Sequence, residues 1–396
     1  CCSMPCWKPL SLLPEMAMPD ALPLDPTAPL SGRWRIVGGA VLVPPKGPER
    51  PQPCGVFDAA GGFVTESLCF GGSASLPVTC APESAAPVQE LPGLWLFGGV
   101  ISGHFGHMLC EATGRLWALS GQEVAGVVFF ARPFDKVRQV QKAFSQLAEL
   151  LGLPPVLVLD APARAERLLL AEQGLGSSEL LNGRPEARAF LRDRLAPVAP
   201  EGAGRRFYIT RSGQPARRGR VLDEEGLEAL FAAAGYEVIR PEDFKLARQV
   251  AMFRAASHVV ATEGSPLHLL SFAAPTGCQV AVIQRRRSPT FGQICDSLRW
   301  FLGTAPLRLT EIASVHAPKK TRNANFIYLE PSRPALRAGL IAGGFLAADT
   351  PDWPDLTAEA RAEAVARLAA ETEQRLRPVA VEDLPEDDGD EERDAA

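Results

Sequence analysis

The chain is 396 residues long, 46% hydrophobic and 22% charged, which leaves room for two or three domains at about 150 residues each and is too apolar for a disordered chain. No run approaches the roughly 18 apolar residues that a membrane-spanning helix needs. The net charge of −5 is unevenly placed: nine acidic residues and one Arg between 380 and 396 contribute −8, which leaves the rest of the chain at about +3. So weak a positive balance argues against a nucleic-acid-binding protein, and the acidic run reads as a solvated tail.

Residues 1–32 form an irregular, Pro-rich lead-in. Its opening, Cys1-Cys2-Ser3-Met4-Pro5-Cys6, lacks the basic flank and apolar stretch of a signal peptide. Without an initiator Met, the natural N-terminus is expected upstream. Nine cysteines, an odd number with no CxxC pair and no His at zinc spacing, point to a reducing, cytoplasmic setting and to no metal centre. Cys110 and Cys278 stand in apolar contexts and read as small core residues.

From Arg33, short apolar runs broken by Gly and Pro predict strands at 34–37, 40–43 and 62–65. An α/β rhythm follows, with strands at 94–97, 124–130 and 155–159 and helices at 106–119 and 135–151. Glu201-Gly202-Ala203-Gly204 reads as a linker. After it the rhythm restarts, with strands at 207–210, 236–239, 258–261 and 279–283 and helices at 223–234, 246–256 and 265–273. Asp223 is placed to cap the first of these helices, and Gly235 lies just past its end. Such alternation predicts parallel sheets covered on both faces. The expected organisation is one α/β lobe over 33–200, a second over 201–345, a segment 346–379 carrying an amphipathic helix at 357–376, and the tail 380–396.

Three stretches carry chemistry. In Val259-Val260-Ala261-Thr262-Glu263-Gly264-Ser265-Pro266-Leu267-His268 a strand ends, Gly264 permits a tight turn, and Ser265 and Pro266 open a helix. A helix start at the carboxyl end of a parallel strand is a natural anion site; the alternative is an ordinary strand-to-helix turn. Second, Arg211, Arg217, Arg218 and Arg220 follow the 207–210 strand. Their guanidinium groups match phosphate oxygens and stay charged at any relevant pH, unless the stretch is simply a solvated basic loop. The Arg285-Arg286-Arg287 run could add to this site but reads as surface charge. Third, His107, Glu111 and Arg115 would share one face of a helix at i, i+4 and i+8. A His beside a carboxylate suits a general base, whereas Glu111–Arg115 pairing would make a mere surface stripe. His258 and His316 have no obvious partners and read as structural. Asp388-Gly389-Asp390 lies in the tail and does not read as a metal site. No GxxxxGK[ST], no G-x-S-x-G and no strand followed by G-x-G-x-x-G occurs, so phosphate-loop enzymes, elbow hydrolases and dehydrogenases are disfavoured.

Thr210-Arg211, Arg220-Val221-Leu222-Asp223-Glu224, Gly235 to Val238, Pro241-Glu242, Gln249 and Gly264-Ser265-Pro266-Leu267 together resemble the motifs of the bacterial branch of the family 61 glycosyltransferases, found among capsular polysaccharide biosynthesis proteins. The His107-x3-Glu111-x3-Arg115-Leu116-Trp117 stretch is similar to that family's first-lobe helix. Two positions depart from the pattern: Glu263 stands where a His is expected and Asp223 where an Asn is.

The resemblance implies a GT-B-like fold of two Rossmann-like lobes with a cleft between them, a nucleotide-sugar bound mainly by the second lobe, and a C-terminal helix crossing back to the first. It also implies inverting transfer to a saccharide or glycan acceptor. No metal or other cofactor is expected. On that reading Arg211, Arg218, Arg220, Gly264, Ser265 and His268 bind the donor. His107, oriented by Glu111, is the base, with Glu263 second in line, and Arg115 lies on the acceptor side. The rivals are a GT-B-like sugar-nucleotide epimerase and a non-catalytic sugar-nucleotide or polysaccharide-binding protein. The expected location is the cytoplasm, with a lipid-linked acceptor allowing peripheral contact with the inner face of the membrane.

Overall fold

The computed structural model describes residues 25–45, 54–71, 74–76, 87, 89–132, 135–319 and 324–381. Most of the Pro-rich lead-in and the acidic run from 382 onward lie outside these residues.

The first unit is a mixed sheet of β1 (Trp34–Val43), β2 (Gly55–Phe57), β5 (Gln89–Ile101), β6 (Gly126–Ala131), β7 (Val156–Leu159) and β8 (Ala163–Ala171), in the order β2-β1-β8-β5-β6-β7. The small hairpin β3 (Cys69–Gly71) and β4 (Ala74–Leu76) stands beside it. Strands β8, β5, β6 and β7 run parallel, while β1 pairs antiparallel with both β2 and β8. Helices α1 (Phe105–Cys110), α2 (Val137–Leu150) and α3 (Pro185–Leu195) belong to this unit. On α2 the buried residues Val140, Phe144 and Leu147 fall at helical spacing along one stripe.

This unit differs from the Rossmann-like lobe expected. β7 reaches β8 through a short connection rather than a crossover helix. The runs 34–37 and 40–43 form one continuous strand, which pairs with β8 on both sides of Gly39 while that residue takes a positive φ of 62°. Residues 62–65 form no strand of their own; a single turn of 3-10 helix covers Thr65–Ser67.

In the second unit strands and helices alternate along the chain. Strands β9 (Arg205–Ile209), β10 (Glu237–Ile239), β11 (Ala256–Thr262), β12 (Gln279–Ile283) and β13 (Leu307–Leu309) are all parallel, in the order β10-β9-β11-β12-β13. Helices α4 (Glu224–Ala233), α5 (Leu246–Arg254), α6 (Pro266–Ala273) and α7 (Pro289–Leu302) make the crossovers. A third sheet, β15-β14-β16, joins β14 (Ile312–Pro318), β15 (Tyr328–Pro331) and β16 (Leu376–Pro378), with α8 (Arg333–Ala342) and α9 (Ala358–Thr372) between its strands.

The C-terminal helix does not cross back to the first unit. Ala364 and Leu368 of α9 are buried with Ala216, Leu222 and Tyr328, all of the second unit and its appendage. Thr357 caps α9 by accepting the amide of Ala360 at 3.2 Å.

The two units share one apolar core. Leu96, Met108, Phe129 and Phe144 of the first are continuous with Phe207, Phe253, Leu267 and Phe291 of the second. Arg192 of α3 ties the helices across this junction, donating to the carbonyl of Ala274 and to Thr276 Oγ1, each at 3.1 Å.

Candidate active site

In the second unit the chain leaves β9 towards β10 and returns to β11 on the other side of β9. The carboxyl ends of β9 and β11 therefore flank a topological switch point, where open parallel sheets take their ligands. Thr210 and Arg211 follow β9, and Glu263, Gly264 and Ser265 follow β11 and lead into α6. Arg285 and Arg286 stand just past the end of β12.

Arg211 folds over its own loop. Its Nε donates to the carbonyl of Gly219 at 2.8 Å and its Nη2 to that of Arg218 at 2.9 Å. Its Nη1 lies against Gly264, where any Cβ would collide with it. The missing side chain of Gly264 is what admits a guanidinium to the mouth of α6, where Pro266 has no amide and those of Leu267 and His268 donate to the carbonyls of Gly264 and Ser265. Gly219, at φ +73°, does the same for Arg285, whose Nη1 occupies the space a Cβ would need and donates to Asn325 Oδ1 at 3.1 Å. Ser265 occupies the N-cap position but its hydroxyl makes no capping bond.

Arg285 and Arg286 are buried, 3% and 4% exposed, which corrects the reading of these two as surface charge; Arg287 is exposed. They are held by Glu263, which is fully buried and accepts the Arg286 Nε at 3.1 Å and the Arg285 amide at 3.2 Å. A carboxylate so enclosed orients its partners rather than facing a substrate. Glu224, equally buried, accepts Thr262 Oγ1 at 2.7 Å and the amides of Arg211 and Val221 at 3.1 Å each. Burial pushes its carboxyl above the ordinary range even so, against the donors from Thr262, Arg211 and Val221. Glu224 thereby ties the ends of β9 and β11 to the loop before α4.

Other predicted residues go elsewhere. Arg220 turns to α9 and pairs with Glu371; Arg218 is exposed and contributes its carbonyl. Asp223 does not cap α4: its backbone is left-handed at φ 55°, and its carboxylate pairs with Arg333 at 2.5 Å and Arg367 at 3.1 Å.

In the first unit, His104 and α1 follow β5. α1 ends at Cys110, so the expected 106–119 helix is broken by a turn, with 3-10 geometry over Leu116–Ser120. His107 and Glu111 still meet, Nδ1 to Oε1 at 2.8 Å. Arg115 does not join them. Only 2% exposed, it donates to the carbonyls of Glu66 at 3.1 Å and Leu68 at 2.6 Å and to that of Ala171, so it staples loops instead of facing an acceptor. Arg132 takes its place, its Nη2 2.6 Å from Glu111 Oε2, and Ser177 Oγ also donates to Glu111.

Burial alone would raise the Glu111 carboxyl. The hydrogen bond and charge of His107, the charge of Arg132 and the Ser177 hydroxyl outweigh it and lower the pKa to about 2. With Glu111 ionised, Nδ1 of His107 carries the proton and Nε2 is the basic nitrogen. The His104 ring lies edge-on to His107, centroids 5.1 Å apart.

The two clusters border one seam. A Cβ on Gly106 of α1 would meet Ser265 Oγ at 3.1 Å and His268 Cδ2 at 3.5 Å. The residue next to His107 therefore touches the helix that Arg211 abuts. Sequence reasoning missed Arg132 and Ser177 and discounted Arg285 and Arg286. The usable signal was position: Arg132 comes immediately after β6, and Arg285 two residues after β12. Ser177, in an irregular segment, carries none.

Among the described residues no group of three or more His, Cys, Asp or Glu side chains could hold a metal ion, and no helix is long and apolar enough to cross a membrane. The family model described as Glycosyltransferase 61 matches residues 105–281, somewhat less than half of the chain, and supports a glycosyltransferase activity. The match encloses His107, Glu111, Arg211 and Gly264; Arg285, Arg286 and α9 lie beyond it. No curated protein matches the chain.

Proposed function

We propose that the protein transfers a sugar from a nucleoside-diphosphate sugar to a saccharide acceptor with inversion, in a GT-B-like arrangement with the donor on the second unit. The observation that carries this is the contact of Gly106 with Ser265 and His268, which sets a base and an anion seat on the same seam. Arg211, Arg285 and the amides of Gly264 and Ser265 take the diphosphate, and His268 takes a sugar or ribose hydroxyl.

In the transfer step the acceptor oxygen bonds to the anomeric carbon as the bond from that carbon to the diphosphate breaks. The acceptor proton passes to His107 Nε2, while Glu111 and Arg132 hold the ring in position. Negative charge growing on the leaving diphosphate meets guanidinium groups already in place, which is where preorganised electrostatics lower a barrier most. Inversion fits a base and a leaving group approaching from opposite sides of a seam. Glu263 acts through Arg285 and Arg286 and does not serve as the base. The acceptor class is a growing cell-surface or capsular polysaccharide, met in the cytoplasm or at the inner face of the membrane.

The test is release of free nucleoside diphosphate from a panel of nucleotide-sugars in the presence of oligosaccharide acceptors. One donor should turn over, and His107→Ala should slow it about 10²- to 10⁴-fold with donor affinity nearly intact. Binding without release would assign a sugar-nucleotide-binding protein; full activity in His107→Ala would remove the proposed base.

A further inference from the structure

The loop that presents Arg211 has an anchor outside both clusters. Glu371, in the last turn of α9, accepts the amide of Ala216 with Oε1 at 2.7 Å and pairs through Oε2 with Arg220. Arg220 reaches back over the loop to the carbonyl of Ser212 at 3.0 Å. Tyr328 of β15 donates its hydroxyl to the carbonyl of Ala216 at 3.1 Å. One carboxylate therefore holds the middle of the loop and, through Arg220, both of its ends. Arg211 rides on the carbonyls of Arg218 and Gly219, so its guanidinium stands where those two residues are held. Between the loop and α9 lies a cavity of about 490 Å³, lined by Gln214, Pro215, Arg220, Arg367 and Glu371 among others. Beside that cavity Ala216 and Leu222 of the loop pack with Ala364 and Leu368 of α9, and the hydrogen bonds of Glu371 fix the loop's polar side.

We infer that Glu371 is a positioning residue for the diphosphate seat: it sets the loop that carries Arg211 to Gly264, acting through Ala216 and Arg220 without touching the donor. The inference rests on the donor assignment above. It also gives Arg220 a different role from the donor-binding one expected from sequence, that of a strut. Glu371 is 41% exposed and Arg220 only 10%, but Arg220 also lies 3.6 Å from Glu225. Losing Glu371 therefore leaves no buried charge without a counter-ion, and its effect on the loop is separable from any effect on the fold.

The test is calorimetric titration of the full chain with UDP, GDP, ADP and dTDP, following whichever binds most tightly. Glu371→Ala should raise its Kd about five- to tenfold, the scale of one or two lost hydrogen bonds, with Tm shifted by no more than about 2 °C. Glu371→Gln keeps an acceptor for the Ala216 amide and should recover much of the loss. The double variant Arg220→Ala/Glu371→Ala should bind no more weakly than Glu371→Ala, because the two residues act as one unit. Unchanged or tighter binding by Glu371→Ala overturns the inference while leaving the seat standing, and so does a loss matched by a large fall in Tm. If the wild type binds none of the four, the donor seat fails and the inference with it.

Discussion

Glu111 owes its charge to its neighbours. Its carboxyl is lowered from 4.5 to about 2 because the interactions with His107, Arg132 and Ser177 exceed the cost of burial. A carboxylate with a depressed folded-state value contributes stability that is complete above the unfolded value and is lost as pH falls through the folded one. That contribution falls away between about pH 4.5 and 2. Denaturant unfolding of wild type and Glu111→Gln across that range should show their stability difference shrinking as pH falls; a difference independent of pH would mean Glu111 is not ionised in this way. Glu224 runs the other way: its raised value means that its contribution is present at low pH and declines as pH rises through the folded value. Comparing the variant with the wild type at each pH cancels that opposing trend.

Among the elements, the turn between β11 and α6 does most for the site. Gly264 has no need of a left-handed backbone, so Gly264→Ala should fold normally. Its methyl would nevertheless displace the Arg211 guanidinium, and nucleoside diphosphate binding should weaken about tenfold, the worth of a charge-assisted hydrogen bond; equal affinity would show that Arg211 does not act there. This turn was legible in the sequence because Gly-Ser-Pro after an apolar strand has few other uses, and β9 to β12 with their helices were legible for the same reason of strict alternation.

The first unit was harder to read. β8 reads Ala163-Arg164-Ala165-Glu166-Arg167 at its start, where Arg164 and Glu166 are exposed and only small Ala side chains face inward. That half carries almost no apolar signal, yet the strand lies central in the sheet. Arg115 was misplaced because a helix pattern was extended past Cys110, where the chain turns. The burial of Arg285 and Arg286 depends on Glu263, Gly219 and Asn325, which converge only in three dimensions.

For the molecule as a whole, the shared core holds the two units against each other, and Gly106 marks where their polar clusters meet. Gly106→Val would wedge α1 away from Ser265 and His268. If the seam brings base and donor together, this variant should lose at least about tenfold in sugar transfer while binding nucleoside diphosphate within about threefold of wild type, since only the chemical step needs both units. Equal losses in both would place the damage in the second unit instead.

The central claim, that Arg211 and Arg285 seat a diphosphate at the mouth of α6, is tested most directly by calorimetry on wild type, Arg211→Ala and Arg285→Ala with nucleoside diphosphates and the matching monophosphates. The account predicts that the wild type prefers a diphosphate to its monophosphate, and that each substitution weakens the diphosphate about ten- to a hundredfold. Wild-type affinity in both variants would contradict it.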